Sequence, residues 1–173
     1  MLNTGPLAET DDIDQDIINA SCQAVTELPG TSYFSSAESF LMIRGGYMDV
    51  AVLGALQVAE NGDYAGWNNP PRGFPENIGN IGGSMDLAVG AKKVIIAMIH
   101  TTNNGEPKIL KRCTYPLTAK GVVKLIVTDL AVIEVTPEGL LLKEVAPGLT
   151  AEDVQSVTEP ELIVSPDLTE IQF

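Results

Sequence analysis

The amino-acid sequence predicts an α/β fold, a largely parallel sheet flanked by helices. Three observations point there. Dense apolar runs of strand length recur at 49–53 and its neighbours (MDVAVLGALQV), at 93–100 (KVIIAMIH), at 130–135 and at 140–145. Runs without polar alternation suit strands covered on both faces. Between them lie short helical stretches closed by glycine turns, the order expected of βα units. Finally, 173 residues that are 45% hydrophobic can fill one core, so 1–173 is read as a single domain.

Residues 1–16 are polar and acidic without a clear period. They read as an exposed arm opening on the turn-like Met1-Leu2-Asn3-Thr4-Gly5-Pro6. Residues 23–28 suit a short strand closed by Pro29 and Gly30. Ser35-Ser36-Ala37-Glu38 has the form of a capping box, Phe40, Leu41 and Ile43 supply an apolar stripe, and Gly45-Gly46 ends the helix. The run at 49–53 is then a strand buried on both faces. Residues 61–83 form a loop rich in glycine, proline and asparagine, far longer than an ordinary connection; such loops tend to carry function. A helix follows over 86–91, a second fully buried strand over 93–100, a further strand over 108–113 and a short helix over 121–126. The runs 130–135 and 140–145 flank Thr136-Pro137-Glu138-Gly139, a tight-turn signal. Thr150 caps a last short helix.

Charge narrows the function classes. Ten Lys plus Arg stand against 23 Asp plus Glu, a net charge of −13. Residues 1–30 hold six acids and no base, residues 144–173 seven acids and no base, and 31–143 ten of each. Such a chain repels polyanions, which excludes nucleic-acid binding through a basic patch and argues against an anionic membrane surface. No run approaches about 18 apolar residues, so no membrane-spanning helix is expected. The N-terminus shows neither basic n-region nor apolar h-region, so a cytoplasmic location is expected. Cys22 and Cys113 read as reduced thiols, and a single histidine, His100, makes a histidine-based metal site improbable, so no metal is expected.

The strongest local candidate is the loop from Gly79 to Asp86. Adjacent glycines ahead of a helix can turn several backbone N–H groups toward one point, which suits a phosphate or a developing oxyanion. It is no dinucleotide fingerprint, and no Walker lysine follows. The alternative, glycines serving only a tight strand-to-helix turn, stays open at this point. Glu60-Asn61-Gly62 reads as solvated turn chemistry. His100 reads as structural rather than as a general base, since no serine or cysteine is placed beside it. Lys92-Lys93 and Lys111-Arg112 read as solvated pairs.

Longer strings say more. SYFSSAESFLMIRGG (32–46), VLGALQV (52–58), GGSMDLAVGAK (82–92), PKILKRCTYPLT (107–118) and TDLAVIEVTPEGLLLKEVAPGLTAEDV (128–154) stand in one order. Together they resemble the β subunit, or β-type half, of the family I 3-oxoacid CoA-transferases, from about Ile17 onward. The resemblance implies movement of CoA between an acyl-CoA and a 3-oxo or short-chain carboxylic acid, through an acyl-glutamyl anhydride and a glutamyl-CoA thioester. It implies coenzyme A as substrate and no cofactor. Gly83, with Gly82 beside it, aligns with the glycine whose backbone holds the oxyanion; Asn19, Gly79, Ser84 and Met85 become candidates for CoA binding. The implied partner is an α-type subunit or domain within an oligomer, in the cytoplasm or, for a longer eukaryotic precursor, the mitochondrial matrix.

The chain also departs from the family. The family nucleophile stands in a Glu-Asn-Gly or Glu-Ser-Gly turn before a run resembling Met1–Pro6, so the catalytic glutamate is expected just before Met1 and no catalytic residue within the chain. Glu60-Asn61-Gly62 lies in a different context. A family lysine is replaced at Cys22, an asparagine at Gly66, and Met-Glu-His reads Met98-Ile99-His100. Residues 68–77 are also longer than the usual turn. Two expectations follow: a CoA-transferase β-type chain lacking its N-terminal segment and inactive alone, or a degenerate, non-catalytic domain that binds acyl-CoA or a partner subunit.

Overall fold

The structure, a computed structural model, describes residues 1–69 and 81–172. The chain divides into two compact units, 1–41 and 42–173.

In the first unit, β1 (Leu2–Leu7) pairs antiparallel with β2 (Val25–Ser32), with a 3-10 turn over Thr10–Asp12 between them. The N-terminal segment is thus exposed, as expected, yet it holds a strand. Gly5 and Pro6 hide that strand by breaking its alternation. The pair is pinned at its irregular register by Asn3, which takes the left-handed backbone (φ +61°) that asparagine tolerates. The Asn3 Nδ2 donates to the Pro29 carbonyl at 3.1 Å, and the Asn3 carbonyl accepts from Thr31 Oγ1 at 2.8 Å. A Cβ at Gly5 would stand 2.2 Å from Thr26 Oγ1, so only glycine allows the strands to cross there. β2 runs through Pro29 and Gly30, which were expected to end it; proline is tolerated on an edge where its missing N–H is not needed. α1 (Ser36–Arg44) starts with the predicted box: the Glu38 N–H donates to Ser35 Oγ at 3.2 Å, and the Ser35 N–H to Glu38 Oε2 at 2.7 Å. Those bonds hold the Glu38 carboxyl below its usual pKa. Gly46, at φ +75°, follows the helix end.

The second unit is built on six strands in the order β11-β10-β9-β8-β6-β3. These are β3 (Val50–Leu53), β6 (Lys93–Ala97), β8 (Val123–Val127), β9 (Ala131–Thr136), β10 (Gly139–Val145) and β11 (Leu162–Glu170). A second small sheet holds β4 (Gln57–Ala59) between β5 (Tyr64–Ala65) and β7 (Ile109–Leu110). The α/β class stands, with a mixed main sheet: β3–β6, β6–β8 and β10–β11 are parallel, β8–β9 and β9–β10 antiparallel. Helix α2 (Ser84–Gly90) links β3 to β6, and α3 (Ala151–Ser156) links β10 to β11 with the Thr150–Asp153 capping box in place. The core runs through the sheet as Ile96, Ile126, Ile133, Leu140 and Leu142, with Val154 of α3, all fully buried.

Five expectations change. The strand over 93–100 is not fully buried: β6 covers Lys93–Ala97 only, and Ile99 beyond it is 61% exposed. Residues 121–126 are not a helix: after Gly121 (φ +63°) they enter β8, because Val123 pairs with β6 and Leu125 and Ile126 pair with both β6 and β9. The strand at 49–53 is not buried on both faces. It lies at the sheet edge, with Ala51 buried but Val50 and Val52 47% and 63% exposed. The strand at 108–113 contracts to two residues. And β11, whose Pro166 and acidic residues spoil any strand signal, was not foreseen; as an edge strand it needs pairing on one side only.

Candidate functional site

The glycines ahead of α2 form the candidate site. Gly82 adopts φ +48°, and Gly83 is the helix N-cap with no side chain to cap it. The Ser84 N–H turns back to the Ile81 carbonyl at 3.2 Å, and the Gly83 carbonyl accepts the first helical bond from Leu87 at 2.9 Å. Among the described residues, the N–H groups of Gly82 and Gly83 donate to no loop or turn carbonyl. Two backbone donors with no competing acceptor are what an oxyanion requires. Asp86, in the first turn, is held by Arg44 Nε at 2.6 Å, so its charge is compensated.

One anchoring residue escaped the sequence reading. Tyr64 of β5 is fully buried, and its hydroxyl donates to the Ser84 carbonyl at 3.3 Å. It ties the start of α2 to the small sheet, and burial raises the phenol's pKa. No sequence signal marked it, because it sat inside a segment read as loop.

Of the other site candidates, Ser84 and Met85 follow the two glycines directly, and Met85 is 48% exposed. Gly79 lies outside the described residues. Asn19 belongs to the first unit, in the turn that precedes β2. Its Oδ1 accepts the N–H groups of Ser21 (2.8 Å) and Gln23 (3.0 Å), and its Nδ2 donates to Gln23 Oε1 at 3.1 Å. Within that turn Cys22 is an exposed free thiol in the left-handed conformation, φ +59°.

Other singled-out residues have structural work. His100 is fully buried, with Nδ1 and Nε2 each 2.9 Å from a threonine hydroxyl, of Thr128 and Thr158. Each of those hydroxyls also reaches a backbone carbonyl, Thr158 that of Val154 at 2.7 Å and Thr128 that of Ala131 at 3.1 Å, so both ring nitrogens are engaged in a closed network. Burial lowers the imidazole pKa, and with both nitrogens buried and hydrogen-bonded to threonines the ring presents no free lone pair to a substrate. Glu60-Asn61-Gly62 is the β4–β5 turn. Gly62 at φ +83° presses so near β8 that a Cβ would meet the Val123 carbonyl at 2.9 Å. Cys113 is half-buried, its thiol pushed up to about 11 chiefly by desolvation, so it stays protonated. Lys92 pairs with Asp49 at 2.6 Å. Among the described residues no cluster of His, Cys, Asp or Glu could hold a metal, and no helix is long and apolar enough to cross a membrane.

The family described as coenzyme A transferase matches residues 1–156. The chain belongs to the coenzyme A transferase family. Two bacterial B subunits illustrate how near this CoA-transferase chain stands to its relatives. With that of the 3-oxoadipate CoA-transferase of Acinetobacter baylyi it is 46% identical over 163 residues, covering 94% of the chain and 74% of that relative. With that of the succinyl-CoA:3-ketoacid coenzyme A transferase of Helicobacter pylori it is 44% identical, covering 95% and 77%. Its fold is shared with the acyl-CoA transferase YdiF of Escherichia coli O157:H7, at TM-score 0.70 and 21% identity over 85% of this chain and 32% of that one. Resemblance to the B subunits thus extends over nearly all of this CoA-transferase chain, the glycines before α2 included.

Proposed function

We propose that the chain is the β-type part of a CoA-transferase that moves CoA between an acyl-CoA and a 3-oxo or short-chain carboxylic acid, working with an α-type partner. The observation that carries this reading is the pair Gly82–Gly83, with two backbone donors that meet no loop carbonyl among the described residues, in a chain that resembles CoA-transferase B subunits along most of its length. In the family reaction a glutamate carboxylate attacks the thioester carbonyl, the C–S bond breaks, and CoA leaves as thiolate from an acyl-glutamyl anhydride. The thiolate then attacks the glutamyl carbonyl and expels the free acid, leaving a glutamyl-CoA thioester that a second acid resolves in reverse. The role of this chain is to hold each tetrahedral oxyanion on the N–H groups of Gly82 and Gly83, with Ser84 and Met85 beside them and Tyr64 fixing their place. No metal or cofactor is needed.

The nucleophile comes from outside these 173 residues. Glu60, in the chain's own Glu-Asn-Gly, is committed to the β4–β5 turn. We therefore expect no measurable turnover from this polypeptide alone. An in-frame Glu-Asn-Gly or Glu-Ser-Gly in the coding region ahead of Met1 is expected, and its absence there would defeat the catalytic reading. With that segment and the α-type subunit supplied, Gly83→Pro, which removes one donor, should lower kcat for CoA transfer about 100- to 1,000-fold.

A second reading, a non-catalytic domain binding acyl-CoA, draws on Cys22 and Gly66. A Cβ at Gly66 would lie 3.2 Å from both the Gly54 carbonyl and Tyr64 Cε2. The family asparagine therefore needs a few tenths of an ångström of backbone adjustment. CoA binding by calorimetry without transfer in the assembled, extended protein would favour this second reading.

A further inference from the structure

A cavity of about 330 Å³ lies within the second unit, apart from the residues given a role so far. Leu56, Ile99, Pro107 and Tyr115 give it apolar walls, and Lys108 and Asn69 are among its polar lining. One wall is rigid. The segment 101–107 is a closed loop, joined by the Thr101–Pro107 bridge and by the Thr102 N–H to the Glu106 carbonyl at 2.8 Å, with Thr102 Oγ1 accepting the Glu106 N–H at 3.1 Å. Gln57, also on the lining, is not available to a ligand. Its Oε1 accepts the N–H groups of Thr114 and Tyr115, and its Nε2 donates to Thr114 Oγ1 at 2.9 Å.

Lys108 is placed differently. It is half-buried, and desolvation lowers its pKa. Among the described residues the ion pairs are Arg44–Asp86 and Lys92–Asp49, so Lys108 has no carboxylate within ion-pair distance there. Asp129 acts on it only at longer range, and its Oδ1 accepts the His100 N–H at 2.7 Å. The one acid on the lining, Glu106, is exposed. Asn69 carries a buried side-chain oxygen without a partner among the described residues; turning the amide over would offer Nδ2 instead. Ile99, 61% exposed, stands where the family resemblance implies the glutamate of Met-Glu-His. The residue exchange thus removes a carboxylate from the wall that Lys108 shares.

We infer that this cavity is an anion subsite for the carboxylate of a short-chain acid, with Lys108 as its cation and Ile99, in place of a glutamate, leaving that cation unpaired. The inference rests on the CoA-transferase reading for the kind of acid it would meet. A desolvated ammonium without a partner is a standing electrostatic cost, which a charge-assisted bond to a ligand oxygen relieves. One cation among apolar walls suits a monovalent carboxylate on a short carbon chain better than a doubly charged phosphate. The other source of an anion is a phosphate of CoA itself.

The test is calorimetry on the full chain, with butyrate and, separately, CoA as titrants, for the unaltered protein, Lys108→Gln, Ile99→Glu and, as control, Glu138→Gln in the exposed 136–139 turn. Butyrate should bind the unaltered chain at millimolar concentration. Both Lys108→Gln and Ile99→Glu should weaken it about tenfold or more, with Glu138→Gln leaving it unchanged. Ile99→Glu alters an exposed side chain, so unchanged melting temperature there separates lost binding from lost fold. No butyrate binding, or equal binding by all four proteins, overturns the inference. So does a loss confined to CoA binding in Lys108→Gln, which would assign the cavity to a phosphate. In each of those cases a fall in CoA transfer on Gly83→Pro, measured in the assembled, extended protein, leaves the transferase reading standing.

Discussion

The two ends of the six-stranded sheet are built on different terms. At one end β8, β9, β10 and β11 are close in sequence, joined by the tight turn at Pro137-Glu138 and by α3, with Leu140, Leu142, Ile133 and Val154 fully buried. At the other end β3 contributes four residues, pairs only with β6, and shows Val50 and Val52 to solvent. Of the two edge strands, β3 is the more uniformly apolar, whereas β11 carries Pro166, Asp167 and Glu170. The difference teaches that an apolar run reports the capacity to be covered, whereas cover itself depends on what the rest of the chain provides.

The sharpest way to break the comparison is to truncate one residue at each end. Leu140→Ala should cost about 3 kcal/mol, the loss of a buried side chain plus its cavity. Val52→Ala should change stability by no more than about 0.5 kcal/mol. Denaturant unfolding reads both, and similar values would show that β3 is covered in solution. A smaller effect belongs to the α1–α2 crossing, where a Cβ at Gly90 would stand 2.4 Å from the Ile43 carbonyl. Gly90→Ala should therefore destabilise by about 1–3 kcal/mol despite its better helix propensity, readable as a lowered Tm. At the α3 end, Thr150→Ala removes the side-chain half of a capping box and should cost about 1 kcal/mol.

The last prediction concerns pH. The folded protein keeps His100 neutral by burying it, so its folded pKa lies below the unfolded value of about 6.5. Between those two values the unfolded chain binds more protons. Stability should then be undiminished by this group above pH 6.5 and should fall as the pH drops through and below it. His100→Gln should flatten that part of the stability-against-pH curve, and an unchanged slope in the variant would show that other groups set it.

What could be read from the sequence follows the same division. Capping boxes at Ser35 and Thr150 and the 136–139 turn were legible because their chemistry is local: a side chain meets a backbone N–H three residues away. The glycines before α2 were legible for the same reason, through the backbone freedom of Gly82. Residues 121–126 were misread because their apolar spacing fits a helix as well as a strand, and only pairing with β6 and β9 decides. β11 was illegible because its strand state comes from β10, not from its own residues. The site shows the same limit. Tyr64 holds Ser84 across 20 residues, and the cavity around Lys108 joins segments more than 50 apart, contacts that no local pattern encodes. In contrast, the family strings carried the fold, since they record a long-range arrangement as residue identity.

His100 has one more consequence, for measurement. The chain contains a single histidine, its imidazole held between Thr128 on the β8–β9 turn and Thr158 just past α3. Its ring N–H proton, hidden from solvent and hydrogen-bonded, should exchange slowly enough to give one resolved downfield resonance without any labelling scheme. That lone signal watches the junction of sheet and α3 from inside, and its loss would report the opening of that junction before the rest of the fold.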